Sequence, residues 1–65
     1  GAVLNGASLQ FAKLSDASFV SAHLKGADLK SAELLGAVLR FARLQGAALN
    51  DAKLRNAVLD EAQLQ

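Results

Sequence analysis

A five-residue period runs without interruption through the whole chain. Alanine occupies position 2 and every fifth position after it to Ala62. Position 4 and every fifth position after it to Leu64 holds leucine, with Phe19 as the one exception. Thirteen copies of a small residue, a variable residue and a large residue therefore follow one another in phase, and the fold has to place all of these copies in equivalent environments.

The period excludes both kinds of regular structure as single continuous elements. On an α-helix each residue turns the chain by about 100°, so a step of five residues scatters the leucines and forms no apolar stripe. On a continuous strand an odd period sends successive leucines to opposite faces. What remains is a short extended piece, in which alanine and leucine point to the same side, followed by a bend. Each repeat is then one side of a closed coil.

The variable positions indicate how many sides the coil has. When the chain is compared with itself, a shift of 20 residues gives four identities in 27 pairs of variable positions, and a shift of 15 residues gives one in 30. A 20-residue coil also stacks Lys13, Glu33 and Lys53 in one column of alternating charge, which favours that register at the strand spacing of about 4.8 Å. Four sides are therefore preferred over three.

Length and composition are those of one small unit, and we expect residues 1–65 to form a single domain. A globular core of this size is normally marginal without disulfides or a metal. The chain has no cysteine and one histidine, so stability has to come from regular stacking. The first residue is not methionine and is already in phase, which predicts either a segment excised from a longer protein or a designed segment.

The charge balance argues against nucleic acid and membrane partners. Seven Lys or Arg stand against six Asp or Glu, which gives a net charge of +1, and the two signs alternate along the chain. A nucleic-acid footprint needs a basic patch or stripe instead. No apolar run approaches the roughly 20 residues that span a bilayer, and no signal-peptide pattern is present. We therefore expect a cytoplasmic chain that binds neither nucleic acid nor membrane.

Thirteen consecutive Ala-x-Leu/Phe units resemble the pentapeptide repeat family over all 65 residues. Glycine before the small residue, common in that family, appears here as well. The family usually places Asp or Asn between the small and the large residue, and here only Asp28 meets that preference. The resemblance implies an all-β fold, a right-handed quadrilateral β-helix (a β-solenoid) with four repeats per coil and about three coils. Inward leucines, Phe19 and alanines would then fill the axis.

The chain offers few candidates for catalysis or metal binding. His23 has Ser18, Ser21, Asp28 and Glu33 nearby in the sequence, so a His-carboxylate-Ser arrangement can be drawn. A flat ladder face provides no pocket that excludes water and no oxyanion donors. One imidazole with scattered carboxylates is also far from a metal ligand set. We therefore expect no enzyme activity, catalytic residue, metal, cofactor or small-molecule substrate, and a solvated His23.

Apolar residues in outward positions are more informative, because the fold does not require them. One face of the expected coil, built on Phe19, Leu39 and Leu59, carries more of them than the other three faces. They form a candidate interface made of Val20, Val38, Phe41 and Val58. The simpler interpretation is that β-branched residues suit strands and pack on their column neighbours. The functional interpretation is a surface of a few hundred Å² for a partner or for a second copy.

The family resemblance implies two functional classes. Some members resemble B-DNA in width and negative charge and inhibit or protect DNA gyrase, whereas many others are scaffold or interaction segments. A DNA mimic needs a strongly anionic surface, which a net charge of +1 does not provide. We therefore expect a non-enzymatic structural scaffold or protein–protein interaction segment, with the gyrase-directed mimic as the alternative.

Two routes of self-association follow from the same pattern. Uncapped coil ends expose strand edges, which can template end-to-end stacking, and the apolar face can pair rods side by side. Proline at Val58 or Gln63 is expected to remove an edge donor and block only the first route.

Overall fold

The computed structural model describes residues 1–64, and in it the chain winds into a coil that returns to the same side every 20 residues. The central variable residue of each repeat pairs with its equivalent one coil later through a parallel β-bridge. The bridged pairs are Val3 with His23, Ser8 with Asp28, Lys13 with Glu33, Ser18 with Val38, His23 with Arg43, Asp28 with Ala48, Glu33 with Lys53, Val38 with Val58 and Arg43 with Gln63. The predicted four repeats per coil and the Lys13–Glu33–Lys53 column are therefore present in the structure.

Each extended piece is shorter than a conventional strand. Residues 1–64 contain no helix and no continuous strand, only isolated bridges of one residue per repeat. The reason is the repeat length, because two of every five residues are used by the turn at the corner. The expected all-β architecture is thus realised as single-residue bridges joined by turns.

A tight turn forms each of the four corners. From Ala7 to Ala62, the amide of the alanine at the small position of each repeat donates to the carbonyl of the leucine or Phe19 three residues earlier, as in Ala7 N to Leu4 O at 3.0 Å and Ala27 N to Leu24 O at 3.1 Å. The second central residue of the turn has a positive φ, whether it is Gly26 (φ 66°) or Phe41 (φ 61°). A positive φ at this position alone is the sign pattern of a type II turn.

Successive coils are joined by a directional set of backbone hydrogen bonds. On each side, the amide of the large residue donates to the later coil, as in Leu29 N to Ala48 O at 2.8 Å. The corner amide does the same, as in Ser31 N to Asn50 O at 2.9 Å, whereas the central amide of the later coil donates back, as in Ala48 N to Ala27 O at 2.9 Å. Two amides per side therefore point toward the later coil and one points back.

The core occupies the middle of the stack. Its fully buried residues alternate alanine and leucine along one coil and a quarter, and they are Ala22, Leu24, Ala27, Leu29, Ala32, Leu34, Ala37, Leu39, Ala42 and Leu44. The leucines of the first and last coils and Phe19 are partly buried and pack against this centre. The inward assignment of these positions is confirmed, and burial is complete only where a coil has a neighbour on both sides.

The proportions differ from those of a rod. The principal extents of the Cα trace are 21 × 18 × 18 Å, with a radius of gyration of 10.0 Å. Just over three coils at about 4.8 Å per coil give a stack about as long as it is wide. The end surfaces are therefore as large a part of the molecule as each side.

Candidate interaction surface

The bridges define four sides, each named here by its central outward residues. Side 1 carries Val3, His23, Arg43 and Gln63; side 2 carries Ser8, Asp28 and Ala48; side 3 carries Lys13, Glu33 and Lys53; side 4 carries Ser18, Val38 and Val58. Among the described residues, side 4 alone has no ionisable group or imidazole in its central column. Desolvation of side 4 by a partner therefore costs less than desolvation of the others.

The four residues of the predicted interface lie on side 4 and at its border. Val38 and Val58 are bridged neighbours in the central column and are half-buried. Val20 and Phe41 lie at the corner between sides 4 and 1, where they are 41% and 44% exposed. The structure thus brings the four residues to one region, and it leaves the two at the corner as the exposed apolar contacts.

Phe41 forms the most prominent feature of that corner. The guanidinium carbon of Arg40 lies 5.3 Å from the centroid of the Phe41 ring, within the range of a cation–π contact. The ring also borders a shallow groove on side 1, lined by Ser21, His23, Phe41, Arg43, Glu61 and Gln63. Phe41 therefore offers an apolar surface between charged groups.

The opposite border of side 4 carries an apolar residue that the predicted interface did not include. Leu35 is 39% exposed at the corner between sides 3 and 4. It borders an open groove with Lys53, Leu54 and Arg55. Side 4 is consequently flanked by an exposed Phe on one border and an exposed Leu on the other. Sorting by column assigns Leu35 to the neighbouring face; treating each corner as shared by both adjacent sides would have placed it at the border of side 4.

The polar residues considered around His23 are spread over different sides. His23 is bridged between Val3 and Arg43 on side 1, Asp28 lies on side 2 and Glu33 on side 3. Asp28 is engaged locally, since its carboxylate accepts from Gln10 Nε2 at 2.6 Å and from the Lys30 amide at 3.1 Å. No group of three or more His, Cys, Asp or Glu residues that could hold a metal occurs within residues 1–64. The structure therefore does not bring the histidine and the carboxylates of the His-carboxylate-Ser arrangement together into one site.

The two ends of the stack expose matching rows of backbone groups. At the C-terminal end the amides of Leu49, Leu54 and Leu59 donate to no described residue, because no later coil covers them. At the N-terminal end the carbonyls of Val3 and Ser8 accept from none, and the same holds for the other central carbonyls of the first coil. Inside the stack these two kinds of group bond to each other.

The four sides and two ends together define the class of protein. It is a repeat protein wound into a closed coil, and its accessible surfaces are the four columns of outward residues and the two ends with unpaired backbone groups. Within residues 1–64, no helix has the length and apolar character needed to cross a membrane.

Comparisons with known proteins agree with this class. The family model of pentapeptide repeats matches eight copies over residues 2–40 and 32–65. No curated protein sequence matches significantly. Among solved structures, HetL, a pentapeptide repeat protein involved in heterocyst differentiation regulation from the cyanobacterium Nostoc sp. strain PCC 7120, is 41% identical over 92% of this chain, with a TM-score of 0.90. A pentapeptide repeat protein of the Arabidopsis thaliana thylakoid lumen is 37% identical over 91% of it, with a TM-score of 0.89.

The chain belongs to the pentapeptide repeat family. It spans 29% of the length of HetL and 41% of the length of the Arabidopsis protein. Both similar structures are pentapeptide repeat proteins.

Proposed function

We propose that this chain is a non-enzymatic β-helical scaffold whose role is protein–protein contact, and that its coil is a right-handed quadrilateral β-helix in one domain. The resemblance to the pentapeptide repeat family and the 20-residue bridge spacing support the coil. The spread of His23, Asp28 and Glu33 over three sides supports the non-enzymatic role. The proposal includes self-association through the coil ends.

The observation that carries end-to-end contact is the match between the two ends. One end presents amides of large inward residues, as at Leu49 and Leu54, and the other presents carbonyls of central residues, as at Val3 and Ser8. Within the stack the same pair of groups bonds at 2.7 Å, as in Leu24 N to Arg43 O. Unpaired strand edges of this kind template a further strand at about 4.8 Å.

Apolar burial supports the same contact. Leu64 is 53% exposed in the last layer of inward side chains, although the equivalent Leu24 and Leu44 are buried. The first layer, with Leu4 and Phe19, is also only half-buried. Covering one layer with the other removes apolar surface from water, at about 25 cal/mol per Å². A coil end therefore gains both hydrogen bonds and burial from the opposite end of a second copy.

Replacing Leu64 with Arg tests this contact. In the free molecule Leu64 is half exposed, so a long charged side chain can reach water, whereas in a stacked end the charge would be buried without a partner. We expect Leu64→Arg to abolish concentration-dependent end-to-end association in sedimentation velocity and native mass spectrometry. Val3→Arg is the matched control, because Val3 is 69% exposed but points outward, and this variant should associate like the parent chain.

Two outcomes contradict the proposed end contact. One is a parent chain that stays monomeric at millimolar concentration. The other is an unchanged association in Leu64→Arg, with circular dichroism showing that both variants are folded.

The gyrase-directed alternative gains no support from the surface. Cations and carboxylates alternate within side 3, where Glu33 is bridged to both Lys13 and Lys53. A surface that imitates the phosphates of DNA has to be negatively charged throughout. Inhibition of DNA supercoiling by the pure chain at micromolar concentration would favour that alternative over the scaffold. The cytoplasmic location remains a prediction, since one similar structure comes from a thylakoid lumen.

A further inference from the structure

We infer that side 4 is a self-complementary docking surface for a second copy of this chain, and that the two copies pair side by side with their axes parallel. The inference rests on the proposed role in protein contact and deepens it by naming the partner and its orientation. It uses a different surface from the coil ends, so each can fail while the other holds.

The first step is the composition of side 4. Its central column is Ser18, Val38 and Val58, with no ionisable group to desolvate. The exposed Phe41 stands at one border and the exposed Leu35 at the other. The interface core between proteins is depleted in charge and enriched in aromatic residues, with polar residues at its rim. The centre of side 4 is likewise free of charge, and its charged residues, among them Arg40 and Arg55, stand at the borders. The one outward aromatic residue, Phe41, stands at a border as well.

The second step is the orientation, which follows from symmetry. A two-fold axis parallel to the coil axis places each border of side 4 against the opposite border of the second copy, at the same coil. Phe41 of one copy then meets Leu35 of the other, next to the open groove that Lys53 and Arg55 border. Each contact occurs twice in such an isologous pair.

Charges at the borders favour the same orientation. In the third coil the border with Leu35 carries Arg55, and the border with Phe41 carries Asp60 and Glu61. Parallel pairing therefore places Arg55 opposite two carboxylates. Antiparallel pairing would place Arg55 opposite Asp16, but it would also set Arg40 against Arg40 and Val58 against Ser18. Opposed like charges disfavour that arrangement.

The size of the surface sets the strength of the pairing. The Cα extents of 21 and 18 Å give a flat side of roughly 400 Å², well below the about 800 Å² per partner of a standard interface. We therefore expect a weak dimer that forms reversibly at high concentration, with Phe41 as its main contact, since aromatic residues including phenylalanine are enriched where proteins contact one another.

The test is a matched pair of substitutions in the Leu64→Arg background, in which the end-to-end contact is removed. Phe41 and Phe11 occupy the same turn position with the same φ of 61°, and Phe11 lies at a different corner, 71% exposed. Serine already occupies this position at residues 21 and 31. We expect Phe41→Ser to lower the dimer association constant at least tenfold and Phe11→Ser to change it less than twofold, measured by sedimentation equilibrium.

Charge reversal tests the orientation. Arg55→Glu should weaken the dimer, and Arg55→Glu combined with Glu61→Arg should restore it if the axes are parallel. Restoration by Arg55→Glu with Asp16→Arg instead would show antiparallel pairing and overturn the proposed orientation. Two other outcomes would overturn side 4 as the dimer surface. One is an equal effect of Phe41→Ser and Phe11→Ser on the association constant, and the other is a Leu64→Arg chain that stays monomeric at millimolar concentration. Association through the ends is measured separately, by comparing the parent chain with the Leu64→Arg variant.

Discussion

At the scale of single residues, the corner position is the most demanding site in each repeat. Every corner in the described chain needs a positive φ, yet most are occupied by residues other than glycine, among them Ser31 (φ 57°) and Glu61 (φ 56°). An L-residue in this region costs about 1–2 kcal/mol. The turn imposes the conformation, because at each corner the alanine amide bonds to the carbonyl three residues earlier, as in Ala32 N to Leu29 O at 3.1 Å.

Reciprocal exchange of serine and glycine measures this cost. Ser31→Gly should raise the free energy of unfolding by about 0.5–1 kcal/mol, because glycine adopts positive φ without strain but loses more entropy on folding. Gly26→Ser should lower it by a similar amount, because a Cβ added to Gly26 meets nothing within 4 Å and only the φ (66°) matters. Urea titrations of the two variants check both signs. A loss of stability in Ser31→Gly would contradict strain at the corner.

The inward leucines differ in burial along one column, and this predicts different costs of truncation. Leu34 is 1% exposed in the middle coil, whereas Leu14, one coil earlier on the same side, is half-buried. Leu34→Ala should cost about 2–5 kcal/mol, a large part of the few kcal/mol expected for a chain of this length. Leu14→Ala should cost about half as much. Equal midpoints in thermal unfolding would contradict a core centred on the middle coil.

At the scale of the repeat, the two central residues of a corner have opposite requirements for proline. Asn50, the first central residue of its corner, has no positive φ, and its amide donates to no described residue. Asp51, the second, has a φ of 59°. Proline fixes φ near −65° and favours the first of these positions in type II turns. We therefore expect Asn50→Pro to fold with unchanged or slightly higher stability and Asp51→Pro to unfold the last coil, as measured by circular dichroism and limited proteolysis.

The same pattern corrects the proline test expected from the sequence. Val58 and Gln63 do not contribute edge donors, because their amides donate to Ala37 O and Ala42 O of the preceding coil, both at 2.9 Å. Proline at either position would break a bond inside the stack instead of blocking its end. A period of five identifies which residues face inward, but it carries no information on whether an outward amide points to the earlier or the later coil.

The repeat therefore made the core predictable, while the borders of side 4 were harder to predict. The 20-residue comparison correctly placed Val38 and Val58 in one column. The exposure of Leu35 depends on the corner, where side chains leave the coil at an angle that column sorting ignores. Arg40 was likewise not part of the predicted interface, although its guanidinium carbon lies 5.3 Å from the centroid of the Phe41 ring.

At the scale of the whole molecule, the expected rod is a block of 21 × 18 × 18 Å. In so short a stack every residue lies within about two coils of the nearer end, so the half-buried first and last layers limit stability. Contacts that cover an end should therefore stabilise the whole chain, and not only the coil they touch.

The directional hydrogen bonds between coils also give the molecule an electrical polarity. On each side two amides point toward the later coil and one points back, as at Leu29, Ser31 and Ala48. The peptide dipoles that do not cancel add along the axis, with N–H groups toward the C-terminal end. In an α-helix the positive pole lies at the N-terminus; here it lies at the C-terminal end. The last coil and the repeat beyond it carry equal numbers of carboxylates and cations, which are Asp51, Asp60 and Glu61 against Arg43, Lys53 and Arg55. The backbone dipole at this end therefore stabilises the three carboxylates and opposes the three cations.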